Sequence, residues 1–258
     1  MKIFKGVLLL FLISSSCFGQ TNLVQIEVDA LGNQYYLFPD KLEKRDAQGQ
    51  LLFSNSYNQY GDMDVFDITN PLQPFVYFKS SNKIIYLDNT LSVQSSVVDL
   101  YHLAEEMGSA FITQTCGARN GGIWCFDNAQ KKIYRLDKWG GIIFDIPNLS
   151  SFSPLASWNI LWMQESQNTL FLRDEKFIHV FDFTGAFIDS RLAHYYPTSA
   201  HGKSLFECRG DELWCCYPSD IKIKSVGPIS LPFCIQNGKC YSLNQLPGGK
   251  DIEEFVNK

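Results

Sequence analysis

The sequence predicts an all-β protein, a six-bladed β-propeller whose last blade is incomplete. Three observations indicate this class. Short strand-like segments recur with a period of roughly 45 residues, which is the length of a four-stranded blade. Segments rich in Phe, Tyr and Trp accompany each recurrence, and helix signals are scarce.

The clearest repeat is a strand that ends in an Asp and is followed by a tight turn and a second strand. Four copies contain Asp46, Asp88, Asp137 and Asp182, which are separated by 42, 49 and 45 residues. Apolar and polar residues alternate before each Asp, and a Gly or Asn follows that can supply the positive φ of a hairpin turn. We interpret the Asp as a turn former rather than a catalytic group, because its carboxylate can accept backbone N–H groups two residues later.

A second type of strand, rich in aromatic residues, also recurs. Its six copies divide the chain into blades of residues 22–60, 61–107, 108–155, 156–200, 201–232 and 233–258. A single blade cannot bury both of its apolar faces, so neighbouring blades must supply the core, and we assign the aromatic side chains to this packing. The copies are NQYYLF (33–38), PFVYF (74–78), GIWCFD (122–127), TLFL (169–172), ELWCCY (212–217) and GKCYSL (238–243).

The last blade and one connector depart from the repeat. The last copy continues into DIEEFV (251–256), which matches KLEKRD of the first blade but is followed by no outermost strand. Closure requires the first and last blades to meet, and a strand near residues 23–29 can supply part of that contact. The best helix signal, residues 99–108, predicts a short connector between blades two and three.

The first residues have the layout of a signal peptide. Lys2 and Lys5 precede an apolar stretch at residues 7–13, and small and polar residues follow it. This stretch is far shorter than the ~20 residues of a membrane-spanning helix. We therefore expect a signal peptide at residues 1–19, a single propeller domain at 20–258, and a periplasmic or outer-membrane-associated protein. Acylation of Cys17 as a lipoprotein is the alternative.

Two groups of propellers share short segments with this chain. FDFTG (181–185) and RDAQG (45–49) resemble the turns of six-bladed NHL and TolB-like propellers. VDALGNQYYL (28–37), FDITNPLQ (66–73) and KIIYLDNTLS (83–92) resemble an envelope propeller family of Gram-negative bacteria that use type IX secretion. The second resemblance implies an accessory subunit of an envelope assembly, and it brings no catalytic residues with it.

Seven cysteines follow Cys17, without the spacing of a zinc site, and export favours disulfides. A two-residue turn at Asn120-Gly121 would place Cys116 directly opposite Cys125, so we expect a disulfide there. Because seven is odd, at least one thiol remains outside such pairs. Further candidate pairs lie on the hairpins of blades five and six: Cys208 with Cys215 or Cys216, and Cys234 with Cys240.

Signatures of catalysis and of nucleic-acid binding are both missing from the sequence. It has no G-x-S-x-G elbow and no phosphate-binding loop, and its four His are scattered. A net charge of −5 without a basic cluster argues against a nucleic-acid partner. We expect no cofactor and no metal, and a non-enzymatic binding or scaffold protein with a protein partner in the envelope.

A calcium-dependent, lactonase-like hydrolase with a metal in the central channel is the alternative function. It requires at least three carboxylate or amide oxygens that converge on one point. A metal site between His194 and His201 is less favoured, because no fixed ligand spacing supports it. The acidic candidates for the channel are Glu27, Asp29, Asp64, Asp67 and Glu207.

Four aromatic residues are candidates for partner contacts. Trp139 and Phe183 lie in tight outer turns where polar residues are expected. They either mark a protein interface or fold back onto a neighbouring blade. Tyr195 and Tyr196 lie between blades four and five, where they could form a contact patch on one face of the disc.

Overall fold

A computed structural model describes residues 23–107, 111–193, 198–209, 212–218, 221–225, 232–236, 239–242 and 250–251. The expected signal peptide with Cys17, the two candidates Tyr195 and Tyr196, and His194 lie outside these ranges. Within them, no helix has the length and apolar character to cross a membrane.

Six antiparallel sheets make up the described chain, and in each sheet consecutive strands pair with one another. Five sheets have four strands, and the sixth has three described strands. The all-β propeller class is therefore confirmed; the described residues form five complete blades, where six blades with an incomplete last one were predicted. The three-stranded sheet occupies the remaining place in the ring and is called blade 6 below.

The strand bounds are as follows. Blade 1 contains β1 (Gln25–Val28), β2 (Gln34–Leu37), β3 (Leu42–Arg45) and β4 (Leu51–Asn55); blade 2 contains β5 (Val65–Asp67), β6 (Phe75–Phe78), β7 (Lys83–Leu87) and β8 (Val93–Asp99); blade 3 contains β9 (Ile112–Gly117), β10 (Ile123–Asp127), β11 (Lys132–Leu136) and β12 (Ile142–Ile146). Blade 4 contains β13 (Trp162–Ser166), β14 (Thr169–Arg173), β15 (Phe177–Asp182) and β16 (Phe187–Leu192); blade 5 contains β17 (Thr198–His201), β18 (Ser204–Arg209), β19 (Glu212–Tyr217) and β20 (Ile221–Ser225); blade 6 contains β21 (Phe233–Gln236), β22 (Lys239–Ser242) and β23 (Lys250–Asp251).

Helical structure is confined to short connectors in the described residues. The helix α1 (His102–Met107) joins blades 2 and 3, as predicted, and Leu103 anchors it in the core between those blades. Single turns of 3₁₀ helix lie at Asn58–Tyr60 and Leu149–Ser151.

The innermost strands form a closed ring. Each of β1, β5, β9, β13 and β17 contacts the innermost strand of the next blade, and β21 contacts β1. At this junction Ile26 and Val28 of blade 1 pack against Cys234 and Tyr241 of blade 6. The prediction that a strand near residues 23–29 takes part in closure is confirmed.

Apolar and aromatic side chains fill the gaps between blades, as predicted. Between blades 3 and 4, for example, Trp124 and Phe126 pack against Leu170 and Phe181. A blade buries its two faces against its two neighbours, so the core is divided among these gaps. The axis is left to the edges of the innermost strands and to polar side chains.

The four repeated Asp residues form one type of turn. In each, Oδ1 accepts the N–H groups of the second and fourth residues after the Asp, at 2.8–2.9 Å. The third residue has positive φ, which Gly adopts without strain. It is Gly49, Gly140 or Gly185 in three turns; in the turn of Asp88 it is Leu91, whose side chain is fully buried. The assignment of these Asp residues as turn formers is confirmed.

The prediction that Cys116 lies directly opposite Cys125 is wrong, because the two strands pair in a different register. The turn after β9 has three residues rather than two, because the Ala118 N–H bonds the carbonyl of Gly122. Cys116 is therefore opposite Trp124, while Cys125 is opposite Thr115. Adjacent strand residues point to opposite faces, so the two thiols lie in different inter-blade cores.

The other cysteine pairs also do not form, and no disulfide joins cysteines in the described part of the chain. Cys240 is opposite Ile235, so Cys234 and Cys240 face different cores. Cys208 and Cys215 share the core between blades 5 and 6 but occupy diagonal positions, whereas Cys216 faces blade 4.

Blade 5 begins earlier than the sequence predicts. Its innermost strand is β17, part of which was assigned to blade 4, and ELWCCY is its third strand rather than its second. The second strand is β18. This blade has no Asp–x–x–Gly turn between its outer strands, so the sequence offered no marker for aligning it with the others.

Candidate functional site

The axis of the propeller contains two cavities that share three lining residues. The upper cavity has a volume of about 340 Å³ and is lined by the ends of the innermost strands and the loops that follow them. The lower cavity has a volume of about 240 Å³ and is lined mainly by the beginnings of the same strands. Glu27, Asp67 and Gln164 line both cavities and define the level where they meet.

Side chains at this level connect each blade to the next. Each connecting side chain accepts a hydrogen bond from a backbone group of the next blade. That group belongs to the residue directly after the equivalent position in the next innermost strand. This rule aligns the innermost strands and defines a set that we call the waist ring. Its members are Glu27, Asp67, Cys116, Gln164, Ser199 and Cys234.

Five members of the waist ring make the connection. The N–H groups of Gly117, Ala200 and Ile235 donate to Asp67 Oδ2 (2.8 Å), Gln164 Oε1 (2.9 Å) and Ser199 Oγ (3.1 Å), and the thiols of Cys116 and Cys234 are hydrogen-bonded by the backbone of Glu165 and Val28. The ring thus satisfies backbone groups that would otherwise be exposed at strand edges along the axis.

Glu27 is the exception, because Gln25 makes the connection to blade 2 in its place. Gln25 accepts the N–H of Phe66 through Oε1 (3.0 Å) and donates to the carbonyl of Phe66 through Nε2 (2.8 Å). The same Nε2 donates to Glu27 Oε1 at 2.8 Å. Glu27 is therefore released from the connecting role, and its carboxyl group lines the channel.

Both carboxyl groups of the waist ring have a raised pKa. Glu27 is half-buried in the channel, and burial raises its pKa to about 8; the amide of Gln25 opposes the shift and the neighbouring Asp67 adds to it. Burial also raises the pKa of Asp67, against the stabilising N–H groups of Gly117 and Thr69. Gly117 permits this arrangement, since a Cβ there would lie 2.4 Å from Asp67 Oδ1.

The upper cavity carries more acidic than basic side chains. Glu165 accepts the backbone N–H of Arg119 (3.2 Å) and the indole N–H of Trp124 (2.6 Å), which fix its carboxylate near the cavity. The Arg119 side chain lines the same space. His201 also lines it, and burial lowers the pKa of its imidazole, against a hydrogen bond with Gln236 that favours the charged form.

The five acidic candidates from the sequence do not converge. Asp29 forms a turn, accepting the N–H groups of Leu31 and Asn33 at 2.9 Å. Asp64 accepts the N–H of Lys79 at 2.7 Å beside the lower cavity, and Glu207 is buried between blades 4 and 5. Glu27 and Asp67 alone of the five lie at the waist.

This placement gives the calcium-hydrolase hypothesis little support. Among the described residues, no three His, Cys, Asp or Glu side chains are grouped so that they could hold a metal ion. Sequence reasoning also missed Gln25, Thr115 and Gln164, which line the channel. An alignment of the six innermost strands could have found them, but these strands carry no repeated marker residue.

The rim candidates Trp139 and Phe183 are solvent-exposed. The fractional exposure is 67% for Trp139 and 47% for Phe183. Their turns nevertheless pack onto the preceding blade: Gly140 lies against Val98, and Gly185 lies against Phe144 and Ile146. The main chain folds back onto the neighbour while the aromatic rings remain outside.

Comparisons with known proteins identify the architecture. No protein-family model and no curated protein matches the chain. Among solved structures, it is similar to a virginiamycin B lyase from Staphylococcus aureus with quinupristin (9% identity, TM-score 0.57, 86% of this chain and 77% of that chain). It is also similar to a protein of unknown function from Bacteroides caccae (10% identity, TM-score 0.51, 80% and 78%).

A third similar structure is PorZ, a surface component of the type-IX secretion system of Porphyromonas gingivalis. The identity is 9% and the TM-score is 0.50, and the match covers 86% of this chain but 35% of PorZ. The fold is a β-propeller. At these identities the comparisons show the fold alone, which both enzymes and non-enzymatic proteins use.

Proposed function

We propose that this chain is a non-enzymatic binding propeller of the bacterial cell envelope, an accessory subunit that holds a protein partner in a secretion or outer-membrane assembly such as the type IX machinery. The observation that carries the proposal is the pair of exposed aromatic rings, Trp139 and Phe183, on the rim of adjacent blades. The signal-peptide-like start and the fold that the chain shares with PorZ support the location.

The rim is suited to binding because hydrogen bonds hold the backbone of its two aromatic residues in place. The Trp139 N–H donates to Asp137 Oδ1 at 2.8 Å, and the Phe183 N–H donates to the carbonyl of Asn168 at 3.0 Å. Ile143 and Ile188, on the outermost strands of the same two blades, are also exposed. Rigid aromatic groups beside aliphatic ones lose little conformational entropy on binding and are typical of interface hot spots.

The test is recovery of a partner from envelope extracts by the tagged mature protein. We expect the double variant Trp139→Ser/Phe183→Ser to lose about tenfold or more of the recovered partner, which corresponds to ~1.4 kcal/mol of binding free energy. Leu72→Ser is the matched control, because Leu72 is exposed outside the rim turns. Recovery of a clean monomer, or equal recovery by wild type and the double variant, would refute the proposal.

A further inference from the structure

Two buried hydroxyl groups of the lower cavity have no hydrogen-bond partner among the described residues. Thr113 Oγ1 and Thr115 Oγ1 are both unpaired, and Thr115 is 1% exposed. Both residues line the cavity together with Glu27 and Asp67. Buried polar groups without partners cost stability, so a ligand that hydrogen-bonds to them recovers free energy on binding.

The carboxyl groups beside these hydroxyls retain capacity as acceptors. Glu27 receives one hydrogen bond, from Gln25, among the described residues. Each oxygen of Asp67 receives one backbone N–H, and a carboxylate oxygen can accept two. The waist of the channel therefore offers hydrogen-bond acceptors and two carboxyl groups, which fit a ligand head that donates several hydrogen bonds and is positively charged. Such a head would favour the ionised form of Glu27, whose pKa is otherwise raised.

Apolar residues also line the lower cavity. Val24, Leu161, Met163 and Pro232 are among its lining residues, together with the charged Asp64 and Lys79. Apolar lining residues beside the acceptors of the waist match an alkyl chain that ends in a cationic group.

We propose that the axial channel binds an alkylammonium or alkylguanidinium group, with the cationic head between Glu27 and Asp67 and within reach of Thr115, and with the alkyl chain in the lower cavity. Such a group belongs to a Lys or Arg side chain of a protein partner or to a free amine. The inference deepens the proposed binding function by naming the chemistry that the channel takes. If the channel does not bind such a group, the partner-recovery test of Trp139 and Phe183 is unaffected.

Binding is measured by isothermal titration calorimetry and by amide chemical shifts of the mature protein. The probes are n-butylammonium chloride and n-butylguanidinium chloride, with n-butanol as the neutral control. We expect the cations to bind at least about tenfold more tightly than n-butanol. Two capped tripeptides, Gly-Lys-Gly and Gly-norleucine-Gly, and spermidine distinguish the sources: preference for the lysine peptide indicates a protein ligand, and preference for spermidine a free amine.

Variants locate the site. Glu27→Gln keeps the shape and removes the carboxyl group that a bound cation would ionise, and we expect it to weaken n-butylammonium binding about tenfold; Thr115→Val should weaken it a few-fold. Asp145→Asn, on the exposed rim strand β12, should leave it unchanged. Equal binding of n-butanol, no effect of either channel variant, or tighter binding of calcium chloride at the same site would overturn the assignment.

Discussion

Replacing Glu207 by Gln is expected to lower the free energy of unfolding by about 3 kcal/mol, because the change leaves a buried guanidinium without its counter-charge. Arg173 Nη1 and Glu207 Oε1 are 2.5 Å apart, and the side chains are 5% and 0% exposed. The pair joins β14 of blade 4 to β18 of blade 5. Arg209 lies 3.5 Å from the other oxygen of Glu207, so a second cation is affected.

Urea denaturation followed by circular dichroism measures this difference. Asp145→Asn is the control, because it breaks the Lys132–Asp145 pair (3.2 Å), which is exposed and should contribute less than about 1 kcal/mol. The double variant Arg173→Met/Glu207→Leu should recover much of the lost stability, since it removes both members of the buried pair, although Arg209 still loses its contact with Glu207. Equal losses of unfolding free energy for Glu207→Gln and Asp145→Asn would show that burial does not strengthen the Arg173–Glu207 pair.

Glu27→Gln is expected to remove a pH dependence of stability. The pKa of Glu27 is about 8 in the folded protein against 4.5 for the unperturbed group. Between these values the unfolded chain has released a proton that the folded protein retains. The stability linked to this group is therefore fully present below pH 4.5 and is lost as the pH rises towards 8.

The size of the effect follows from the shift, reduced because the channel admits water. One pKa unit corresponds to about 1.4 kcal/mol, and we expect the wild type to lose roughly 2 kcal/mol more than Glu27→Gln between pH 5 and pH 8.5. Urea titrations at several pH values measure both proteins, with Asp145→Asn as a variant whose profile should follow the wild type. Parallel profiles for wild type and Glu27→Gln would contradict a Glu27 that is protonated in the folded protein.

The Asp turns could be predicted from sequence because their physics is local. The carboxylate of Asp182, for example, bonds backbone groups two and four residues away, so the spacing to Gly185 appears directly in the chain. The helix between blades 2 and 3 was also predictable, because its apolar periodicity lies within ten consecutive residues. Blade 5 was misplaced because its outer turn has no such signature.

The predicted cysteine pairs were wrong because the turn length, which the sequence does not show, sets the strand register. A three-residue turn instead of a two-residue turn shifts the register of β9 and β10 by one residue. Because strand side chains alternate between faces, that shift moves Cys116 and Cys125 from one face to opposite faces. Both turn lengths were compatible with Asn120-Gly121.

The candidate site was predictable only in part. Glu27 and Asp67 were among the acidic candidates, but the sequence did not separate them from Asp29 and Glu207. Those two are used elsewhere, in a turn and in a buried ion pair. Their partners depend on how the blades pack, and this does not appear in residue types or spacings.

The sequence by itself determined the strands, the Asp turns and the propeller class, since alternation and turn chemistry act within a few residues. Tertiary structure alone decided the waist ring and the channel. The bond from Gly117 to Asp67 spans 50 residues of chain, and that from Ala200 to Gln164 spans 36. Such contacts form only when the ring closes, and closure leaves the carboxyl group of Glu27 facing the axis.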